Sequence, residues 1–380
     1  MKETKVPVYL PLIENEELEA IHKSSADAWF GSGQHVKELE KMVEGVIGNP
    51  NKHAVAVSTC TTGIHLALLL CDLNKGDEVI VSSLNFVGVT QAVIQTGATP
   101  VFCDVIKETL CPDPDSVEKL INEKTKVIIT LDYGSNFCDH DRFEELRKKY
   151  GLRMIHDAAH SFGWEYKSKP IGSFGDLCVF SFDPVKNFTC IDGGMVITSS
   201  EDEKKWLIEA RTVGQSFDVD TFGKNKKMNF KQVDHIGFRY HLSNVHAALG
   251  KIQIGKKDII GNSRREVCTF YNNAFSDLDE VTPISKSYDN VIPFIYIVKV
   301  PEDKRDDLRD YLSEKGVETH VHWMPLYYYN FLKNVKVESK ENSSVVGNQI
   351  LTLPLHSKMK KNQYEKVIYE IKQFFNNSSN

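Results

Sequence analysis

From Glu14 to Ile47 apolar positions recur at helical spacing among charged ones. The run is broken by W-F-G-S-G-Q (Trp29 to Gln34), where two glycines beside aromatics mark a loop between two helices. The pattern then shortens to β-branched runs: A-V-A-V at Ala54, D-E-V-I-V-S at Asp77, T-P-V-F-C-D-V at Thr99 and K-V-I-I-T-L-D-Y-G at Lys126. Each is followed by a stretch of helical period. Asp113 and Pro114 supply a cap and a first-turn proline for one helix, and another runs from Asp141 to Tyr150 and stops at Gly151. Strands alternating with helices from Ala54 to Ile155 predict a mainly parallel sheet covered on both faces.

Beyond a helix ending near Ile254 the composition turns polar, and G-K-K-D-I-I-G-N-S-R-R-E predicts a long connecting helix. A strand is expected over Val291 to Val300, a helix over Arg305 to Lys315, a returning strand over Val317 to Tyr329, and a last helix over Gln363 to Phe375 before the polar tail Asn376 to Asn380. The expected fold class is therefore α/β: a mainly parallel mixed sheet flanked by helices, plus a smaller α+β C-terminal domain. At 380 residues the chain divides into a large domain over 1–250 and a small one over 251–380.

Charge narrows the partners. A net charge of −6 offers no basic field for nucleic acid or an anionic membrane surface, so an anionic ligand must be held by local donors. The eight cysteines never form C-x-x-C, which argues against a zinc ribbon or redox dithiol. The N-terminal residues lack the apolar core of a signal peptide and no stretch reaches membrane-spanning length, so a cytoplasmic location is expected.

The chemistry concentrates between Ile155 and Ile197. One apolar run delivers Asp157 to a strand end; a second, Leu177 to Phe182, leads through a proline to Lys186. A carboxylate and an amine at the mouths of neighbouring strands stand where α/β sheets usually bind ligands. The pair suits pyridoxal 5'-phosphate: the lysine forms an imine with the aldehyde, and the carboxylate keeps the ring nitrogen protonated so that the ring accepts electrons. Ser181 could bind phosphate, and Gly193-Gly194 lets backbone approach a bulky cofactor. Each residue also has an ordinary reading, since strand-end aspartates cap helices and most lysines are solvated. Their order is the specific signal.

That order, D-A-A-H-S-F-G followed by F-S-F-D-P-V-K-N and a G-G pair, resembles the DegT/DnrJ/EryC1/StrS group of sugar aminotransferases, and the resemblance extends over nearly the whole chain. It implies the aspartate-aminotransferase-like fold (fold type I) and a homodimer with shared active sites. It further implies transfer of an amino group from glutamate to a keto group of a nucleotide-linked deoxysugar, as in surface-polysaccharide synthesis. The Lys186-to-Gly193 spacing is closer to members that aminate C4 than to many that aminate C3.

Residue by residue, the resemblance gives Cys60 and Thr61 to the cofactor phosphate, Phe86 to stacking on its ring and His160 to its phenolic oxygen, with Gly33, Trp29, His322 and Trp323 bordering substrate. Read alone, Ser58 or Thr59 is a helix cap, Phe86 a core aromatic, and the Trp29 loop an ordinary helix connection. Tyr133 to Cys138 resembles a loop at the cofactor face, with Asn136 a candidate there. In I-G-F-R-Y-H-L-S-N the family's cross-subunit Asn and following Arg are replaced by Arg239 and His241; a guanidinium could hold phosphate in place of the amide. The spacing of His320 and His322 could serve a metal, but no third ligand lies nearby and none is expected. Two other activities share such a fold, a sugar dehydratase and a non-catalytic regulator. A branch that dehydrates carries His at the lysine position, which here is Lys186.

Overall fold

Residues 5–215, 233 and 235–378 are described by the structure, a computed structural model; part of the stretch between Gln215 and Gly250 and the end of the polar tail fall outside them. The first half contains α1 (Asn15–Ala26), α2 (Gln34–Ile47), β1 (His53–Val57), α3 (Cys60–Leu69), β2 (Glu78–Ser82), α4 (Val87–Gln95), β3 (Thr99–Cys103) and α5 (Pro114–Leu120). It continues through β4 (Thr125–Leu131), α6 (His140–Tyr150), β5 (Arg153–Asp157), the short β6 (Glu165–Tyr166) and β7 (Lys169–Pro170), β8 (Leu177–Ser181), β9 (Gly194–Thr198) and α7 (Glu201–Ala210). Then follow α8 (Asn244–Gly255), α9 (Lys257–Phe275), β10 (Thr282–Pro283), β11 (Tyr296–Lys299), α10 (Glu302–Glu314), β12 (Lys336–Val337), α11 (Glu341–Gln349), β13 (Ile350–Leu353) and α12 (Lys361–Ser378).

Eight strands form the main sheet in the order β1-β9-β8-β5-β4-β2-β3-β12. The five pairings from β8 to β12 are parallel, while β9 runs antiparallel to both of its neighbours. Alternation along each strand sends side chains to opposite faces. Ala54, Ala56 and Phe180 join a core under α2 and α8, whereas Val55, Val57 and Val179 join one under α3 and α4. Both faces are dry, which is why the strands read as continuous apolar runs rather than alternating ones. The C-terminal residues build a three-stranded antiparallel sheet, β10-β11-β13, packed with α9, α10 and α12.

Three expectations need correction. The strand over Val291 to Val300 shrinks to Tyr296–Lys299, because Pro293 lacks a donor and the carbonyls before β11 are taken by side chains. Ile292 O accepts from Trp164 Nε1 (2.8 Å) and Asn187 Nδ2 (2.9 Å), and Phe294 O from Arg264 Nη1 (3.0 Å). No strand forms over Val317 to Tyr329. His320 makes a single bridge to Thr352, Pro325 opens a 3₁₀ turn, and the Leu326 N–H turns away to Ser83 O, just past the end of β2. The last helix is longer than expected and includes part of the tail. Residue 250 lies inside α8, and β12 returns from the C-terminal region to the edge of the large sheet.

Helix α3 is drawn tightly onto the sheet. A Cβ on Gly63 would lie 2.8 Å from Val179, and one on Gly194 would lie 2.5 Å from the Thr59 carbonyl oxygen. The second obstacle is backbone, so a methyl group there must push the first turn of α3 off β9. Gly194→Ala should lower stability by about 1–3 kcal/mol, read by urea unfolding; an unchanged midpoint would show that this approach is slack.

Candidate active site

The C-terminal ends of β2, β5 and β8 open into a cavity of about 310 Å³. Asp157 is the last residue of β5 and Ser181 the last of β8, and the turn after β8 carries Lys186 back over them. The first turn of α3 forms one wall. Thr59 is its N-cap: its hydroxyl accepts from the Thr62 N–H (3.1 Å) while the Thr62 hydroxyl accepts from the Thr59 N–H (3.1 Å). Among the described residues, the N–H groups of Cys60 and Thr61 have no acceptor, which leaves a positive helix end facing the cavity.

Asp157 is 2% exposed and accepts one bond, from the Ala159 N–H at 3.1 Å. Burial pushes its carboxyl up to about 6 against the pull of that bond and of Lys186. The same burial pushes the Lys186 ammonium down, opposed by Cys60, Asp183 and Asp157. Two groups that would be charged in water are thus both biased toward neutrality. Behind them, buried Asp132 accepts from His140 Nε2 (3.0 Å) and His156 Nε2 (2.9 Å), and these two imidazoles hold it well below the usual carboxylate range in spite of its burial.

His160 Nδ1 accepts the Gly134 N–H at 3.1 Å, which leaves the ring proton on Nε2. That atom is buried and, among the described residues, unpartnered. Burial, with Lys186 nearby, holds the ring neutral. Trp323 stacks on His160 (centroids 5.4 Å apart, planes at 22°), and the half-exposed Phe86 lies 6.4 Å from Trp323. His322 is fixed at both nitrogens, by Tyr9 Oη at 2.7 Å and Thr352 Oγ1 at 2.9 Å, and burial with Lys186 drops its pKa to about 3.

The cavity therefore collects Cys60, Thr61, Phe86, Asp157, His160, Ser181, Lys186, His322 and Trp323 from five separate segments. It does not collect Trp29, Gly33 or Arg239. These line a second hollow of about 920 Å³ with Lys37, Arg211 and His241. They sit apart because β1 is the edge of the sheet and the 239–241 segment runs along that edge: His241 bridges Val57, and Tyr240 O accepts from Ser58 N at 2.7 Å. Asn136 is also elsewhere, bonded to Ser285 Oγ and Thr109 O. Sequence reading missed Phe294, whose ring faces the Lys186 amine, and also Tyr9 and Asp183. Asp183 lay inside the central motif and could have been noticed there; the other two carry no local signal.

The residues fit pyridoxal phosphate on two structural grounds. Nε2 of His160 is an orphaned donor inside the cavity, and the glycine at 194 leaves room for unpaired N–H groups at the α3 terminus. Comparison with known proteins agrees. An uncharacterized protein of Methanocaldococcus jannaschii is 29% identical over 381 residues, covering 98% of both chains. The aminotransferase TlmJ of Streptoalloteichus hindustanus superposes with a TM-score of 0.91 at 26% identity, over 99% of this chain and all of TlmJ. Helicobacter pylori PseC, an aminotransferase of pseudoaminic acid biosynthesis, shares the fold with a TM-score of 0.90 at 23% identity, over 98% of this chain and 100% of PseC. The model of the DegT/DnrJ/EryC1/StrS aminotransferase family matches residues 11–372, and the chain belongs to that family of pyridoxal-phosphate-dependent sugar aminotransferases.

Proposed function

We propose that the chain transfers the amino group of L-glutamate to a keto group of a nucleotide-linked deoxysugar, with C4 favoured over C3. The observation that carries this reading is the convergence of Asp157, Lys186 and the unpaired Nε2 of His160 on one cavity. When bound, pyridoxal phosphate supplies an aldehyde that takes up and releases the amino group and a ring that accepts electrons.

The chain's own residues supply the rest. Asp157 holds the ring nitrogen protonated, a charge partner that its buried carboxylate otherwise lacks. His160 Nε2–H would donate to the phenolic oxygen, Phe86 would cover the ring, and Ser181 with the N–H groups of Cys60 and Thr61 would take the phosphate. Lys186 anchors the cofactor through Nζ. Once freed, its Nζ would take up and return the proton at the substrate carbon, a task eased by the lowered basicity of its amine. His322 and Trp323, at the open side, border the sugar.

Trp29, Gly33 and Arg239 are assigned to the active site of a second copy. The cavity holds three carboxylates, Asp157, Asp183 and Asp192, against one lysine, so a phosphate dianion is short of cationic partners there. Arg239, exposed beside the sheet edge, can supply one. A cytoplasmic location suits the eight unpaired thiols, and among the described residues no helix is long and apolar enough to cross a membrane.

Three tests follow from these roles. Lys186→Ala should lower transamination by at least about a thousandfold and remove the borohydride-fixed adduct at residue 186; the assay is 2-oxoglutarate release, read by mass spectrometry with a panel of nucleotide-linked keto sugars. If keto sugars are consumed without stoichiometric loss of glutamate, a dehydratase takes this reading's place. Arg239→Ala should weaken cofactor binding about tenfold, and unchanged affinity discards its phosphate role.

The folded-state pKa of Asp157 lies above its ordinary value of 3.8, so ionisation costs the folded state. That cost is absent below about pH 4, grows as pH rises to about 6 and is then complete, at roughly 3 kcal/mol. The cofactor-free protein should lose stability across this window. Asp157→Asn should flatten the loss in urea unfolding measured at several pH values, while abolishing activity.

A further inference from the structure

Phe294 precedes β11 and has no part in the roles assigned above. The Lys186 Nζ lies 4.0 Å from the centroid of its ring. The ring is buried and packs against two others, Tyr9 (centroids 6.1 Å apart, planes at 15°) and His160 (4.6 Å, 39°). Its backbone is held from α9, since Arg264 Nη1 donates to the carbonyls of Pro293 (3.2 Å) and Phe294 (3.0 Å). The same segment is tied to the lysine's neighbour, because Asn187 Nδ2 donates to Ile292 O at 2.9 Å. An amine and an aromatic face are thereby fixed opposite each other from two different sheets.

The face of a benzene ring is its negative region, and it attracts a cation more strongly where water is excluded. The groups acting on this amine are the Cys60 thiol at the start of α3, Asp183 in the turn after β8 and Asp157 at the end of β5. His160 and His322 face it as well, and burial keeps both uncharged. Among the described residues Lys186 makes no salt bridge, and its Nζ has no hydrogen-bond acceptor in the described geometry.

We propose that the Phe294 ring is the resting place of the Lys186 ammonium whenever that amine is not covalently engaged, with Asp183 as its counter-charge. Phe294 is on this view a positioning residue. It keeps the proton-carrying Nζ inside the cavity, in place of a solvated rotamer, between loss of the cofactor bond and its re-formation. The role rests on Lys186 being the reacting amine, as proposed above.

The test begins with the full-length protein, its lysines ¹³C-methylated, loaded with pyridoxamine phosphate and observed by NMR. The Lys186 signal is assigned by its absence in Lys186→Arg. Methyl protons over a ring face are shifted upfield, so the wild-type Lys186 signal should lie upfield of the exposed lysines, move to their position in Phe294→Leu and stay upfield in Phe294→Tyr. In parallel, Phe294→Leu should lower kcat about tenfold with KM changed less than about threefold, and Phe294→Tyr should restore it. A wild-type signal with no upfield shift overturns the proposal even if Phe294→Leu does not fold. An upfield signal that persists in Phe294→Leu, or an unchanged kcat, overturns it too. The NMR result is independent of sugar and amino donor, so its failure is distinct from failure of the proposed reaction, which the borohydride adduct at residue 186 reports.

Discussion

A buried carboxylate and a partly buried amine share one cavity at the end of a parallel sheet, and desolvation drives both toward their neutral forms. Asp157 is raised to about 6 and Lys186 is lowered by the same absence of water. The fold tolerates this because their surroundings are rigid. Asp157 closes a strand packed on both faces, and Asp132 with its two histidines braces the neighbouring strand end. A site left under such tension is suited to a ligand with a cationic ring nitrogen and a carbonyl carbon, since each end satisfies one of the two groups.

Around that pair the geometry is set by close approaches. Gly194 lets the first turn of α3 lie against β9, and this brings the free N–H groups of Cys60 and Thr61 to the cavity. Gly134 donates to Nδ1 of His160 and so determines which nitrogen faces inward. Segments beside the C-terminal sheet close the other side: Phe294 is held by Arg264, His322 by Thr352 and Tyr9, and Trp323 stacks on His160. Cavity walls from both sheets make the site a product of how the two sheets are tied together.

Where strand expectations failed, the failure has one cause. Val291 to Ile295 and Val317 to Met324 carry apolar residues at strand spacing, but their backbones are engaged by side chains or by single bridges around the cavity. Local pattern shows which residues are apolar; it does not show which acceptor a carbonyl will meet. Similarly, the loop of Trp29 and the segment of Arg239 were grouped with the catalytic residues by resemblance. In the single chain they lie along the β1 edge, around a hollow separate from the cavity of Asp157 and Lys186.

The amino-acid order by itself determined the alternation of strands and helices and the parallel core, and it singled out Asp157, Ser181 and Lys186 as candidates, with His160 added by the family resemblance. Those signals are local: apolar periodicity, capping chemistry and a motif whose members lie within thirty or so residues. The tertiary structure alone decided that Phe294 lines the cavity, that Tyr9 backs it through His322 and Phe294, and that Arg239 lies elsewhere. Contacts across hundreds of residues depend on packing between sheets, which a linear pattern does not encode.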